Sequence, residues 1–141
     1  VTVDNTFLDL YAWGVAIDAK GIPYILNKYY DRYEVPLFIV ENGFGYEDVL
    51  EDGQIHDRNR IEYLGDHIRE MVKAVEEDGV DLLGYTVWGC IDPVSFSTGE
   101  MRKRYGFIYV DKKDDGSGTY ERVRKDSFYW YQDIIEKNGH I

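Results

Sequence analysis

A chain of 141 residues is long enough for one ordinary domain with its own core, and its 44% hydrophobic and 16% aromatic residues are those of a globular sequence, not a disordered one. A formal net charge of −11 at pH 7 excludes the basic footprint that nucleic acid or an anionic membrane surface requires. The single cysteine, Cys90, excludes an intramolecular disulfide framework and favours a reducing, cytoplasmic compartment, and no apolar run is long enough to span a bilayer.

Residues 1–20 carry little regular pattern beyond an aromatic segment from Phe7 to Trp13, closed by Gly14. From Ile22 the apolar positions Ile25, Leu26, Tyr29 and Tyr33 follow helical spacing, with Pro23 suited to a first turn. This predicts a helix over 22–33. It runs into Leu37-Phe38-Ile39-Val40, bounded by Pro36 and the turn Asn42-Gly43, which predicts a strand buried on both faces. Glu41, at the end of that strand, is delivered to the rim of the sheet, where parallel α/β architectures place ligands and catalytic groups. Taken alone, Glu41-Asn42-Gly43 reads equally as a polar turn. A polar loop then extends to Asp57.

Ile61, Leu64, Ile68, Val72 and Val75 predict a second helix, ended by Gly79, and 80–88 a second strand. Helix, strand, helix, strand is the alternation of a parallel α/β sheet. After a long loop to Arg104, residues 105–110 and 119–123 predict a hairpin across the turn-rich 114–118, and 127–137 a closing helix. Nothing marks a linker or a repeat, so 1–141 is read as part of one domain.

Chemistry-bearing residues are few. Thirteen tyrosines and three tryptophans exceed the needs of a core, since each carries a polar atom wanting a partner. Arg102-Lys103-Arg104-Tyr105 is a dense basic run in an acidic chain and by itself reads as a solvated loop, as does the cluster of Arg122, Arg124 and Lys125. His56, His67 and His140 are neither spaced nor accompanied like metal ligands, and no cofactor motif is present.

Four blocks stand in a recognisable order: Trp13 with Ile17-Asp18-Ala19-Lys20-Gly21, the strand and turn 36–45, Gly84-Tyr85-Thr86-Val87-Trp88, and Lys103-Arg104-Tyr105-Gly106-Phe107-Ile108-Tyr109-Val110-Asp111. On these the chain resembles glycoside hydrolase family 1 over nearly its whole length. The resemblance implies an α/β fold, the carboxyl-terminal portion of a (β/α)8 TIM barrel. That portion comprises the helix before strand seven, strands seven and eight, a β-hairpin after the last barrel strand, and the closing helix. It implies that Glu41 is the nucleophile of a retaining glycosidase, with Asn42 orienting it or serving as a turn residue. Such an enzyme needs a second carboxyl group as acid, roughly 5–5.5 Å away. The family carries it in a Thr-(Phe/Leu)-Asn-Glu-Pro type of motif that does not occur here.

In the loop after strand eight, members acting on unphosphorylated sugars carry a glutamate and a tryptophan, where this chain reads Val94-Ser95-Phe96-Ser97. A carboxylate repels a phosphate dianion and a serine hydroxyl can donate to it. Serine, Lys103 and Tyr105 resemble the phosphate clamp of the family's 6-phospho-β-glycosidases, and the chain is read as that of a 6-phospho-β-glucosidase. Ser95 occupies the glutamate position when aligned from Asp92 and Ser97 when aligned from Lys103; Ser95 is preferred. Trp88 matches the tryptophan beneath the reactive sugar, or is a core residue, and Asp92 has a structural role. The expected substrates are phosphorylated disaccharides or aryl glucosides. Rival readings are a β-glucosidase for unphosphorylated sugars, or an inactive fragment or sugar-phosphate-binding pseudoenzyme. By itself the chain is expected to be inactive and to dock against a complementary amino-terminal barrel segment or self-associate.

Overall fold

The structure, a computed structural model, describes residues 5–11 and 13–141. Helical spacing from Ile22 yields α1 (Gly21–Tyr33), with Pro23 in the first turn, where a missing N–H costs nothing. The helix stops where Glu34 adopts a left-handed φ of 49° and its N–H returns to the Tyr30 carbonyl. β1 (Leu37–Ile39) follows at once. The loop to Asp57, expected to be irregular, contains a short hairpin of β2 (Leu50–Glu51) and β3 (Gln54–Ile55). Asp52 and Gly53 both have positive φ, 48° and 80°, so the Asp-Gly pair marks a tight hairpin turn.

α2 (Arg58–Glu76) and β4 (Leu82–Tyr85) repeat the helix-strand step. β1 and β4 pair in parallel, Leu37 opposite Leu82, Phe38 opposite Gly84 and Ile39 opposite Tyr85. The expected second hairpin forms from β5 (Ile108–Val110) and β6 (Arg122–Arg124), its return strand beginning three residues later than expected because Tyr120 turns to a positive φ. α3 (Asp126–Glu136) closes the chain.

Two apolar clusters hold these elements. Leu26, Ala74 and Val80 pack under Leu37, Ile39 and Leu82, joining α1 and α2 to one face of the parallel pair. Leu64, Ile68, Phe107 and Ile134 pack with Tyr85, Val87 and Tyr131, joining α2 to α3. The expectation of a strand buried on both faces is not met. Val40 is 75% and Leu83 69% exposed, and Phe38 is half exposed with its ring lying across Gly84. The helices cover only one face, and among the described residues nothing packs on the other.

A third assembly is ionic. Asp48, Asp57 and Asp92 meet Arg60, Arg104 and Lys125, all six side chains almost wholly buried. Lys125 bonds Asp48 at 2.5 Å and Asp92 at 2.7 Å, while Arg60 reaches Asp48 at 3.2 Å and Asp57 at 2.5 Å. Burial, with Arg60 nearby, lowers the Lys125 pKa, and the two carboxylates oppose that shift. The reading of Lys125 as part of a solvated cluster is therefore corrected: among its neighbours Arg122 and Arg124 are exposed, but Lys125 is an anchor of the core.

Candidate active site

Glu41 stands exposed two residues past the carboxyl end of β1, and Trp88 three residues past the end of β4. The two strand ends are tied together beyond their formal pairing, since the Trp88 N–H donates to the Asn42 carbonyl at 2.8 Å. The Asn42 side chain is oriented by two tyrosines. Tyr85 Oη donates to Asn42 Oδ1 at 2.8 Å, and Asn42 Nδ2 donates to Tyr63 Oη at 3.3 Å. Burial pushes the Tyr85 phenol far up and the Tyr63 phenol up, the latter against the Asn42 hydrogen bond, so both remain protonated at neutral pH and the amide has one consistent orientation. The Asn42 side chain is thus held by both tyrosines, immediately after Glu41 in the chain.

Two glycines after Asn42 let neighbouring side chains come close. A Cβ on Gly43 would stand 2.7 Å from Trp88 Cβ, and one on Gly45 would stand 2.8 Å from Tyr105 Cζ. Phe44 between them is buried among Tyr11, Tyr46 and Tyr63. The turn that follows Glu41 is therefore the floor on which Trp88 and Tyr105 rest.

Lys103 is 6% exposed, yet no carboxylate lies within ion-pair distance of it among the described residues. Its neighbours Arg102 and Arg104 do have such partners. Its Nζ lies 5.3 Å from the ring centroid of Trp13 and 5.8 Å from that of Tyr105. Aromatic faces attract an ammonium without neutralising it, so the positive charge remains available to an anion. The view of residues 102–105 as a uniformly solvated basic loop does not hold, because Arg102 is exposed, Arg104 is buried in the ionic core, and Lys103 is enclosed by aromatics.

The loop between Asp92 and Glu100 carries the remaining candidates. Ser95 is 3% exposed in a tight turn whose N–H donates to the Glu100 carbonyl, and its Oγ lies 3.4 Å from Ser97 Oγ. Ser97 is exposed and Phe96 is almost entirely so. Among the described residues no hydrogen bond joins either serine to Lys103 or Tyr105. Asp92 has the structural role expected of it, accepting from Arg104, Lys125 and the Gly106 N–H. The contacts thus tie the Asn42–Gly45 turn after Glu41 to Trp88 and Tyr105, and Tyr105 to Lys103.

Trp13 is the site neighbour that reading the sequence as a list of chemical groups overlooked. In the sequence it stands only in an aromatic segment and a family block, yet it faces both Lys103 and Arg102, the latter at 5.6 Å. Its place at the end of the aromatic segment, in a stretch with no regular pattern, is the available signal.

Residues 2–140 match the profile of Glycosyl hydrolase family 1. The chain is 58% identical over 138 residues to the aryl-phospho-beta-D-glucosidase BglA of Bacillus subtilis (strain 168), covering 97% of this chain and 29% of that protein. It is 57% identical to a 6-phospho-beta-glucosidase of Clostridium longisporum, covering 97% of this chain and 30% of that protein. Its structure resembles a family 1 b-glucosidase from Thermotoga maritima with a TM-score of 0.87 at 38% identity, over 99% of this chain and 30% of that one. The chain therefore spans a little under a third of the length of these relatives, and its fold is a portion of a (β/α)8 barrel.

Proposed function

The chain belongs to glycosyl hydrolase family 1, and from that premise we propose that it supplies the carboxyl-terminal part of a barrel that hydrolyses 6-phospho-β-glucosides with retention of configuration. In this reading β1 and β4 are barrel strands seven and eight, and Glu41 is the nucleophile. Its carboxylate attacks the anomeric carbon as the glycosidic C–O bond breaks, giving a covalent glycosyl-enzyme that water then opens. The acid that protonates the leaving oxygen lies outside this chain, in a complementary amino-terminal segment of the barrel. Trp88 supports the sugar above the Gly43 turn, and Asn42, held by Tyr63 and Tyr85, keeps Glu41 in register.

The observation that carries the phosphate assignment is Lys103, a nearly buried ammonium flanked by Trp13 and Tyr105 and without a carboxylate partner among the described residues. A phosphate dianion supplies the missing counter-charge, Tyr105 Oη a further donor, and Ser95 or Ser97 the hydroxyl from the adjacent loop. Phe96, almost wholly exposed on that loop, is assigned to contact with the substrate. The names of the two relatives above agree with a phosphorylated substrate, either an aryl glucoside or a disaccharide phosphate. Such substrates are charged and do not cross bilayers unaided, which supports a cytoplasmic enzyme.

The reading is tested by trapping the complete protein with a 2-fluoro-6-phosphoglucoside and mapping the labelled peptide. Label on Glu41 is expected, and label on any other residue ends the assignment. The likeness to the Thermotoga b-glucosidase favours a second reading, action on unphosphorylated glucosides. That reading requires efficiency on the unphosphorylated glucoside at least equal to that on the phosphorylated one.

A further inference from the structure

Arg104 stands in the chain between the two residues assigned to the phosphate, and so far it has been placed only in the buried ion network. Its backbone is extended and pairs with Tyr46 through both hydrogen bonds, N–H to the Tyr46 carbonyl at 3.0 Å and carbonyl from the Tyr46 N–H at 2.9 Å. Successive side chains of an extended segment point to opposite sides. Lys103 and Tyr105 therefore share one side, as the 5.8 Å cation-ring separation between them attests, and Arg104 takes the other.

On that other side the Arg104 guanidinium donates to three acceptors and lies against a ring. One guanidinium nitrogen donates to Asp92 Oδ2 at 3.1 Å and to the Val110 carbonyl at 2.8 Å, and the other donates to the Lys112 carbonyl at 2.9 Å. The guanidinium lies 4.1 Å from the Tyr109 ring centroid. The Arg104 carbonyl accepts a second bond, 2.8 Å, from Arg60, whose own charge is fixed by Asp48 and Asp57. Gly106, two residues on and next to Tyr105, is clamped as well: its N–H donates to Asp92 Oδ1, and a Cβ there would meet the backbone nitrogen of Asp92 at 2.4 Å. A planar fork with fixed donors can satisfy such a set of acceptors at once; an ammonium on a flexible stem cannot.

We propose that Arg104 is a positioning residue for phosphate selectivity: anchored to the Asp92–Lys125–Asp48–Arg60 ion network on one side of the chain, it sets the places of Lys103 and Tyr105 on the other without touching substrate. The inference rests on the phosphate reading of Lys103. A shift of about 1 Å in a binding group is enough to lose one to two powers of ten in efficiency. Because only the phosphorylated substrate uses Lys103 and Tyr105 as a pair, the loss falls on that substrate.

The test uses the complete protein and the ratio of kcat/KM on an aryl 6-phosphoglucoside to that on the matching aryl glucoside. Arg104→Lys, which keeps the charge and loses the fork, is expected to lower this ratio roughly tenfold, mainly through KM of the phosphorylated substrate. Arg60→Lys, which weakens the grip on the Arg104 carbonyl, is expected to move it the same way by a smaller factor. An unchanged ratio in Arg104→Lys, or equal losses on both substrates, overturns the inference. Lys103→Ala serves as the reference. If it leaves the ratio unmoved, the phosphate reading falls and this inference with it; if it lowers the ratio while Arg104→Lys does not, only the positioning role fails. Should Arg104→Lys yield no folded protein, Arg60→Lys decides by the same two outcomes. Failure of both to fold assigns Arg104 a purely structural role and also overturns the inference.

Discussion

The backbone of Gly43 passes so close to Trp88 that a Cβ on the glycine would stand 2.7 Å from Trp88 Cβ. This contact couples the turn after Glu41 to the end of the neighbouring strand. Gly43→Ala must therefore move one of them, and the floor is strained on the side where Tyr105 also rests, its Cδ1 3.5 Å from the same point. The expected cost of such overpacking is about 1–3 kcal/mol of stability. A fall in kcat should accompany it, measured in the complete protein by thermal unfolding and steady-state kinetics. A variant with unchanged melting temperature and kcat would show that the turn relaxes freely.

Lys103→Ala removes the one cation that faces the site without a carboxylate partner among the described residues. Loss of a charge-assisted hydrogen bond is worth about 1.5–3 kcal/mol, so the ratio of efficiencies on phosphorylated and unphosphorylated substrate should fall roughly ten- to a hundredfold or more. Competition by glucose 6-phosphate should weaken in parallel. Equal losses on both substrates would assign Lys103 to structure.

Lys125→Met leaves Asp48 and Asp92 buried with one cation fewer between them. Breaking a buried ion pair from one side costs about 3–5 kcal/mol, and this variant is expected to unfold at correspondingly lower denaturant concentration. A loss below about 1 kcal/mol would show that Arg60 and Arg104 rebalance the network on their own.

Two histidines should titrate on opposite sides of their ordinary 6.5. A hydrogen bond from His56 Nδ1 to Asp126 Oδ2, 2.7 Å, raises the first, and burial against Tyr63 lowers the second despite its bond to the Tyr63 carbonyl. The signs for stability differ accordingly. The His56 contribution is fully present below 6.5 and is lost as pH rises through its folded pKa. The His67 contribution is present above 6.5 and is lost as pH falls through its folded pKa, because the unfolded chain takes up the proton first. Ring-proton NMR titration of the folded protein checks both, and His56 titrating below His67 would refute the assignment.

Val40 and Leu83, 75% and 69% exposed, flank a parallel pair whose outer edges are unpaired among the described residues. Unpaired apolar edges invite further strands. Residues 1–141 expressed alone are expected to self-associate, to remain inactive on an activated aryl 6-phosphoglucoside, and to be rescued by a complementary amino-terminal barrel segment. Light scattering that finds a monodisperse 16.5 kDa monomer would refute the structural half, and turnover by that monomer the catalytic half.

By itself the sequence determined the order of the helices, of the parallel strands and of the later hairpin, and placed Glu41 just beyond a strand. Those follow from local rules: apolar spacing at Ile22, Leu26 and Tyr29 or at Leu64, Ile68 and Val72, an apolar run ended by Asn-Gly, and glycines where the chain must turn. The Asp52-Gly53 hairpin was legible by the same rules, though it was read as loop. What only the tertiary structure decided is the fate of charges adjacent in sequence. Arg102, Lys103 and Arg104 look alike as a run, yet one reaches solvent, one is enclosed by Trp13 and Tyr105, and one enters a buried ion network with Asp92. Lys125, indistinguishable on paper from Arg122 and Arg124, lies between Asp48 and Asp92. The reason is physical: whether a charged side chain is buried depends on whether counter-charges or ring faces remote in the chain arrive to replace its water, and no local pattern of residues encodes that arrival.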